Sequence, residues 1–190
     1  ISIDWSDLDD HKAHFLLRAA ISLKGRPVTL YQEVHCNKTK ENPASHKAFL
    51  KALHAMLPSN CRPIIVTDAG YKSPWFREVL ALGWDIVGRV RKPHFYSLDS
   101  GNTWQCIRHL YAQATSRPKR FDNSQIARGN PFACTLVLFK QKAKGRHASN
   151  PDGPRKASKR SKVHAQGAKD PWLLATSLAS YPRLSKQVVA

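Results

Sequence analysis

The sequence predicts an α/β fold: a mixed sheet opening in the order βββαβαβ and continued by a β-rich insertion after the fifth strand. Three observations predict it. Three β-prone runs precede residue 35 with short polar turns between them, two amphipathic runs each lead back to an apolar strand, and short strand-like pieces take over after Lys92. At 190 residues the chain can bury one good core and can fold without disulfide or metal staples.

The first strand is read near 1–5, and the second and third near 14–23 and 27–34, with Lys24-Gly25-Arg26-Pro27 as the turn between the latter two. Together they make an antiparallel meander. Asn42 is placed to cap the next helix and Pro43 fills its first turn. Phe49, Leu50, Leu53, Met56 and Leu57 then form an apolar stripe, read as core, that ends at Pro58. The apolar run 63–67 is a buried strand ending at Asp68. Ser73-Pro74 starts a second helix that runs through Leu82 and is closed by Gly83, and Trp84 to Arg91 is the fifth strand.

Beyond Lys92 the strand-like pieces lie near 93–98, 104–110 and 132–140, of which Phe132 to Phe139 is the clearest. Gly145 to Gly167, rich in Lys, Arg, Ser, Gly and Pro, reads as a mobile loop, and Pro171 to Thr176 returns as a strand. No internal repeat is visible. The chain divides into an α/β core (1–92), the β-rich insertion (93–177) with a basic loop near 141–169, and the start of a return to the core (178–190). With Ile1 already inside a strand pattern and a helical run unfinished at Ala190, the sequence reads as a piece of a longer polypeptide.

The net charge of +18 and pI near 10.2 point to phosphate-rich polymers as partners. From Lys140 to Lys169, ten Lys or Arg stand against one acidic residue, Asp152, and this stretch carries half the net charge. The first ten residues hold four aspartates instead. A basic tract for backbone phosphates beside an acidic pocket for metal is the layout of an enzyme acting on nucleic acid, although a solvated basic loop has the same composition. Cys36, Cys61, Cys106 and Cys134 have neither zinc-site nor disulfide-framework spacing and are read as reduced, mostly structural cysteines of a cytoplasmic protein. No apolar run is long enough to span a membrane and no secretory signal is visible.

Asp4 and Asp68 each stand at the edge of an apolar, β-prone run. Phosphodiester chemistry by two Mg²⁺ ions, about 4 Å apart, needs hard oxygen ligands on rigid elements facing one phosphate. The order βββαβαβ is that of the ribonuclease H-like fold, whose first and fourth strands are neighbours at the sheet centre. That fold brings Asp4 and Asp68 together from 64 positions apart. The alternative reading is that each aspartate merely caps a turn or a helix. Asp7, Asp9 and Asp10 are read as solvated or capping residues.

The chain resembles the DDE transposases of bacterial insertion-sequence family four, the Tn-ten type of cut-and-paste enzyme. The residues that carry the resemblance are Ile3-Asp4-Trp5-Ser6-Asp7, Leu57-Pro58-Ser59-Asn60, Val66-Thr67-Asp68-Ala69-Gly70-Tyr71-Lys72, Leu82-Gly83-Trp84, Arg89-Val90-Arg91 and Pro171-Trp172-Leu173-Leu174-Ala175-Thr176. They cover nearly the whole chain, in order and at the family's spacing.

By resemblance, Asp4 and Asp68 match the first two acidic residues of an Asp-Asp-Glu triad that holds two Mg²⁺ ions, with Mn²⁺ as a substitute. Trp172 matches a tryptophan that stacks on a base flipped out of the transposon end, although Trp is also a common core residue. Lys140, Lys142, Lys144 and Arg146 are read as phosphate contacts or as a solvated face. The implied partners are DNA, as transposon ends and target, and a second copy of the intact enzyme in a synaptic dimer. The implied location is the bacterial cytoplasm, at the nucleoid.

The family's Tyr-x2-Arg-x3-Glu-x6-Lys pattern, which carries the third acidic ligand, is absent, since Tyr181-Pro182-Arg183 does not fit it and no glutamate follows Glu78. The expected function is therefore that of a DNA transposase catalytic core whose 190 residues alone cleave little or nothing. One rival, another two-metal nuclease of the same fold, needs no long insertion after Lys92. The other is a non-catalytic nucleic-acid-binding remnant.

Overall fold

The antiparallel meander forms as β1 (Ser2–Asp7), β2 (His14–Ser22) and β3 (Pro27–Cys36) in a computed structural model that describes residues 1–23, 26–141 and 170–179. The predicted tight turn at Lys24 and Gly25 lies outside the described residues. α1 (Pro43–Met56) follows, with the Asn42 side chain accepting the Ala44 N–H at 2.8 Å, and then β4 (Ile64–Thr67) and α2 (Ser73–Ala81). Gly83 closes α2 at φ +74, a left-handed conformation that glycine adopts without strain. β5 (Asp85–Val90) completes the predicted order.

The later strands are β6 (Phe95–Ser97), β7 (Gln105–Cys106), β8 (Lys119–Ile126), β9 (Phe132–Phe139) and β10 (Trp172–Thr176), with a short helix, α3 (Arg108–Tyr111), between β7 and β8. The ten strands among the described residues join one mixed sheet in the order β3-β2-β1-β4-β5-β10-β9-β8-β6-β7. β1, β4 and β5 run parallel, and β10 pairs antiparallel with the free side of β5. This mixed α/β sheet is consistent with a ribonuclease H-like fold, with β1 and β4 adjacent as the element order predicts.

Four sequence expectations change. Residues 104–110 are not one strand: only Gln105 and Cys106 pair, and Arg108–Tyr111 turn into α3, whose Leu110 is buried. β8 was not anticipated because Lys119-Arg120-Phe121-Asp122-Asn123-Ser124 lacks apolar alternation. Its pairing with β9 is broken by an irregularity between Phe121 and Ser124, and the strand buries only Ser124 and Ile126. Met56 leaves the predicted core stripe and is 58% exposed, because α1 ends there. Two of the four cysteines, Cys36 and Cys61, are exposed rather than structural, and all four are free thiols.

The helices lie against one face of the sheet. Phe49, Leu50 and Leu53 of α1 and Trp75, Phe76 and Val79 of α2 share a core with Ile3, Leu17, Ile65 and Ile86 from the strands. Each such fully buried side chain contributes roughly 1.5–3 kcal/mol. A smaller cluster, Val87, Val137, Phe139 and Leu174, occupies the opposite face. Side chains alternate between faces along a strand, so every strand that sends apolar residues toward the helices sends its intervening residues the other way. Among the described residues, no helix is long and apolar enough to cross a membrane.

Candidate active site

Ser2 pairs with Val66 and Ile3 with Thr67 across the parallel β1–β4 ladder. Asp4 and Asp68 come one residue further along, side by side where β4 ends and in the middle of β1. Ile3 and Trp5 pack with the helix-side core, so Asp4 projects from the opposite face. Asp68 accepts the Gly70 N–H on Oδ1 at 2.8 Å, a turn that fixes its carboxylate as the chain leaves β4.

Both residues are exposed. Partial burial of its carboxyl and then the charge of Asp68 push the Asp4 pKa above the ordinary value, against a hydrogen bond from the Trp5 backbone and the charge of Arg18. The two carboxylates therefore sense each other. Among the described residues, no group of three or more His, Cys, Asp or Glu side chains is arranged to hold a metal ion, so Asp4 and Asp68 stand as a pair.

An aromatic layer seats the middle of β1 and the end of β4 from the helix side. Trp5 Nε1 donates to His46 Nε2 at 3.2 Å, and the His46 ring stacks on Tyr71 at 5.5 Å and meets Trp75 edge-on at 4.9 Å. Indole nitrogen only donates, so this hydrogen bond needs an unprotonated His46 Nε2. Burial first, and the charge of His35 second, lower the His46 pKa to about 4, in agreement with that geometry. The Tyr71 hydroxyl is pushed up by burial and then by the charges of Asp4, Asp68 and Glu41.

His46 carries a pH prediction. The unfolded chain takes up the proton near pH 6.5 and the folded chain only near 4, so stability is full above 6.5 and falls as the pH drops toward 4, by roughly 3 kcal/mol. Urea unfolding at pH 7 and pH 4.5 measures this loss, and His46→Phe should make the difference smaller.

The positions predicted for DNA contact divide in two. Lys142, Lys144 and Arg146 lie outside the described residues, as does the basic loop. Lys140 is exposed just past β9, and Trp172 begins β10 opposite Phe139, so both lie at the same end of the sheet as the acidic pair. Trp172 is only partly exposed. Phe139 stacks at 6.3 Å from its ring, and the Arg89 guanidinium lies 3.7 Å from the ring centroid.

Arg89 lines a cavity at this end and is a residue to which sequence reasoning gave no role. Gly88 pairs with Thr67, so Arg89 is the next-strand neighbour of Asp68 on the same face. Burial first, then Arg91, lower its pKa to about 10, which leaves it charged at neutral pH. Among the described residues its buried Nε has no hydrogen-bond partner. The signal was present in Val87-Gly88-Arg89-Val90: a charge alternating with residues of a buried strand.

A cavity of ≈ 210 Å³ opens at this end between the start of α2 and the β8–β9 turn, walled by Tyr71, Ser73, Phe76, Arg89 and Ile126 among others. A second of ≈ 260 Å³, around Pro58, Cys61, Gly83 and Trp84, lies at the opposite end of β4 and β5, away from the carboxylates.

A family model described as a transposase DDE domain matches residues 10–163. The matched span includes Asp68 and Arg89, while Asp4 precedes it and Trp172 follows it. No curated protein and no solved structure matches the chain.

Proposed function

The chain belongs to the transposase DDE domain family, and on that footing we propose that it is the catalytic core of a cut-and-paste DNA transposase of the bacterial insertion-sequence family-four type. Asp4 and Asp68 are its first two metal ligands. The observation that carries this reading is the β1–β4 register, which sets two carboxylates side by side where β4 ends. Two hard-oxygen donors that repel each other, with the Asp4 carboxyl already raised, fit a divalent cation such as Mg²⁺ or Mn²⁺. Bound there, the ions would supply an activated water or 3′-hydroxyl and stabilise the leaving oxygen.

The rest of the work falls to the chain's own side chains. The Gly70 N–H orients the Asp68 carboxylate, and the Trp5–His46–Tyr71 layer holds β1 and the β4–α2 loop in register. Lys140, with Lys142, Lys144 and Arg146, attracts backbone phosphates of the transposon end and the target. Trp172 stacks on an extrahelical base, which requires the Arg89 guanidinium to leave the ring face that it covers. The strands after Lys92 form the β-rich insertion between the second and third acidic ligands, within domain limits of 1–92, 93–177 and 178–190. The enzyme acts as a synaptic dimer at the bacterial nucleoid.

These 190 residues hold two of the three carboxylates and cleave little or no DNA by themselves. The test is a DNA-binding and nicking assay across a salt series with Mg²⁺ present. Salt-dependent duplex binding without nicking is expected. Robust Mg²⁺-dependent nicking by Asp4→Ala would remove that residue from the chemistry, and an absence of any DNA binding would remove the functional reading.

The competing reading, a non-catalytic nucleic-acid-binding remnant, predicts that Asp4→Ala leaves metal affinity unchanged.

A further inference from the structure

Four strands carry a row of charged side chains through the acidic pair. Arg18 on β2 is the direct cross-strand partner of Asp4 on β1. Asp68 follows Thr67, which pairs with Ile3, and Arg89 follows Gly88, which pairs with Thr67. Leu17 and Ala19 are buried with the helix-side core, and so is Val90, so Arg18 and Arg89 project from the other face, as Asp4 does. The row reads Arg18, Asp4, Asp68, Arg89. At the usual strand spacing the two arginine backbones stand about 14 Å apart, with the carboxylates between them.

Neither cation is held in an ion pair among the described residues. Arg18 is exposed. Arg89 rests on Trp172, and among the described residues its buried Nε has no hydrogen-bond partner. Released from the ring face when a base stacks on Trp172, the planar Arg89 guanidinium is free to grip a phosphate with two parallel bonds.

We propose that Arg18 and Arg89 form a two-sided phosphate clamp, which holds the backbone phosphates on either side of the one seated between Asp4 and Asp68. The clamp sets the register of the DNA strand, so that the scissile phosphate rather than a neighbour meets the carboxylates. Arg18 is a positioning residue that no sequence motif pointed to, and its role rests on the reading of the chain as a DNA-strand enzyme. If Arg18 were only a counter-ion for Asp4, its removal would tighten metal binding and leave DNA contact unchanged.

The experiment follows duplex binding by fluorescence anisotropy over a salt series for the native chain, Arg18→Gln and Arg18→Lys, with Mn²⁺ affinity measured without DNA. Arg18→Gln should make the slope of log affinity against log salt less steep by about one, the signature of one lost phosphate contact, while Arg18→Lys keeps the native slope. An unchanged slope in Arg18→Gln, in a protein whose native form binds DNA, overturns the clamp and leaves the transposase reading intact. If the native chain shows no salt-dependent binding, that reading fails and the clamp with it.

Discussion

Changing Asp68 to asparagine should abolish the thermal stabilisation that Mg²⁺ or Mn²⁺ gives the protein, while the metal-free fold stays at least as stable as the native one. Asparagine keeps the Oδ1 that accepts the Gly70 N–H, so the turn after β4 survives. What disappears is the negative charge that, after burial, helps to raise the Asp4 carboxyl, and with it half of the hard-oxygen pair. Repulsion between the carboxylates costs stability whenever no cation lies between them, so removing one charge relieves the empty site and ruins the occupied one. At a metal concentration ten times the dissociation constant, linkage predicts a stabilisation of about 1.4 kcal/mol. For a domain of this size that is roughly 3–6 °C in the unfolding midpoint. Calorimetric scans with and without Mn²⁺ read both effects; a metal-induced shift that persists in Asp68→Asn would put the cation elsewhere.

Phe76→Ala should cost about 3–5 kcal/mol, the largest loss expected from any single side chain near the site. Phe76 is 1% exposed, packs 5.4 Å from Phe132, and lies over Gly88 of β5. A Cβ on residue 88 would stand 2.4 Å from the Phe76 ring, closer than any contact can be, so the glycine is there to admit the ring. Gly88→Ala should therefore cost about 1–3 kcal/mol by overpacking. Combined with Phe76→Leu it should cost less than the two separate losses added together, because both changes act on one contact. Phe76 seats α2 on the sheet, and the loop before α2 carries Asp68, so metal stabilisation should weaken in step with the fold. Urea denaturation of the single and double variants measures the coupling.

The elements around the carboxylates were legible because each has a local cause. Asn42-Pro43 and Ser73-Pro74 mark helix starts, Gly83 marks a stop, and Ile64-Ile65-Val66 can only be a buried strand. The pairing of Asp4 with Asp68 was legible one level up, from element order, since adjacency of the first and fourth strands follows from topology rather than from either residue.

What was not legible depends on neighbours that the sequence does not place. Lys119 to Asn123 carries no apolar alternation and becomes strand only because β9 offers an unpaired edge. Arg18 looked like one more surface charge on an apolar strand, and only the β1–β2 register sets it beside Asp4. Arg89 sat inside a block that carried the family resemblance. Its packing on Trp172 joins residues from β5 and β10, which meet only once the sheet has closed around the later strands. Long-range register, not local propensity, assembles the candidate site.

The most direct test of the central claim is an anomalous-scattering map from crystals of the protein soaked in millimolar Mn²⁺. A peak is expected between the carboxylates of Asp4 and Asp68, lost in Asp68→Asn crystals. A strong peak at another group of ligands, with that position empty, would contradict it.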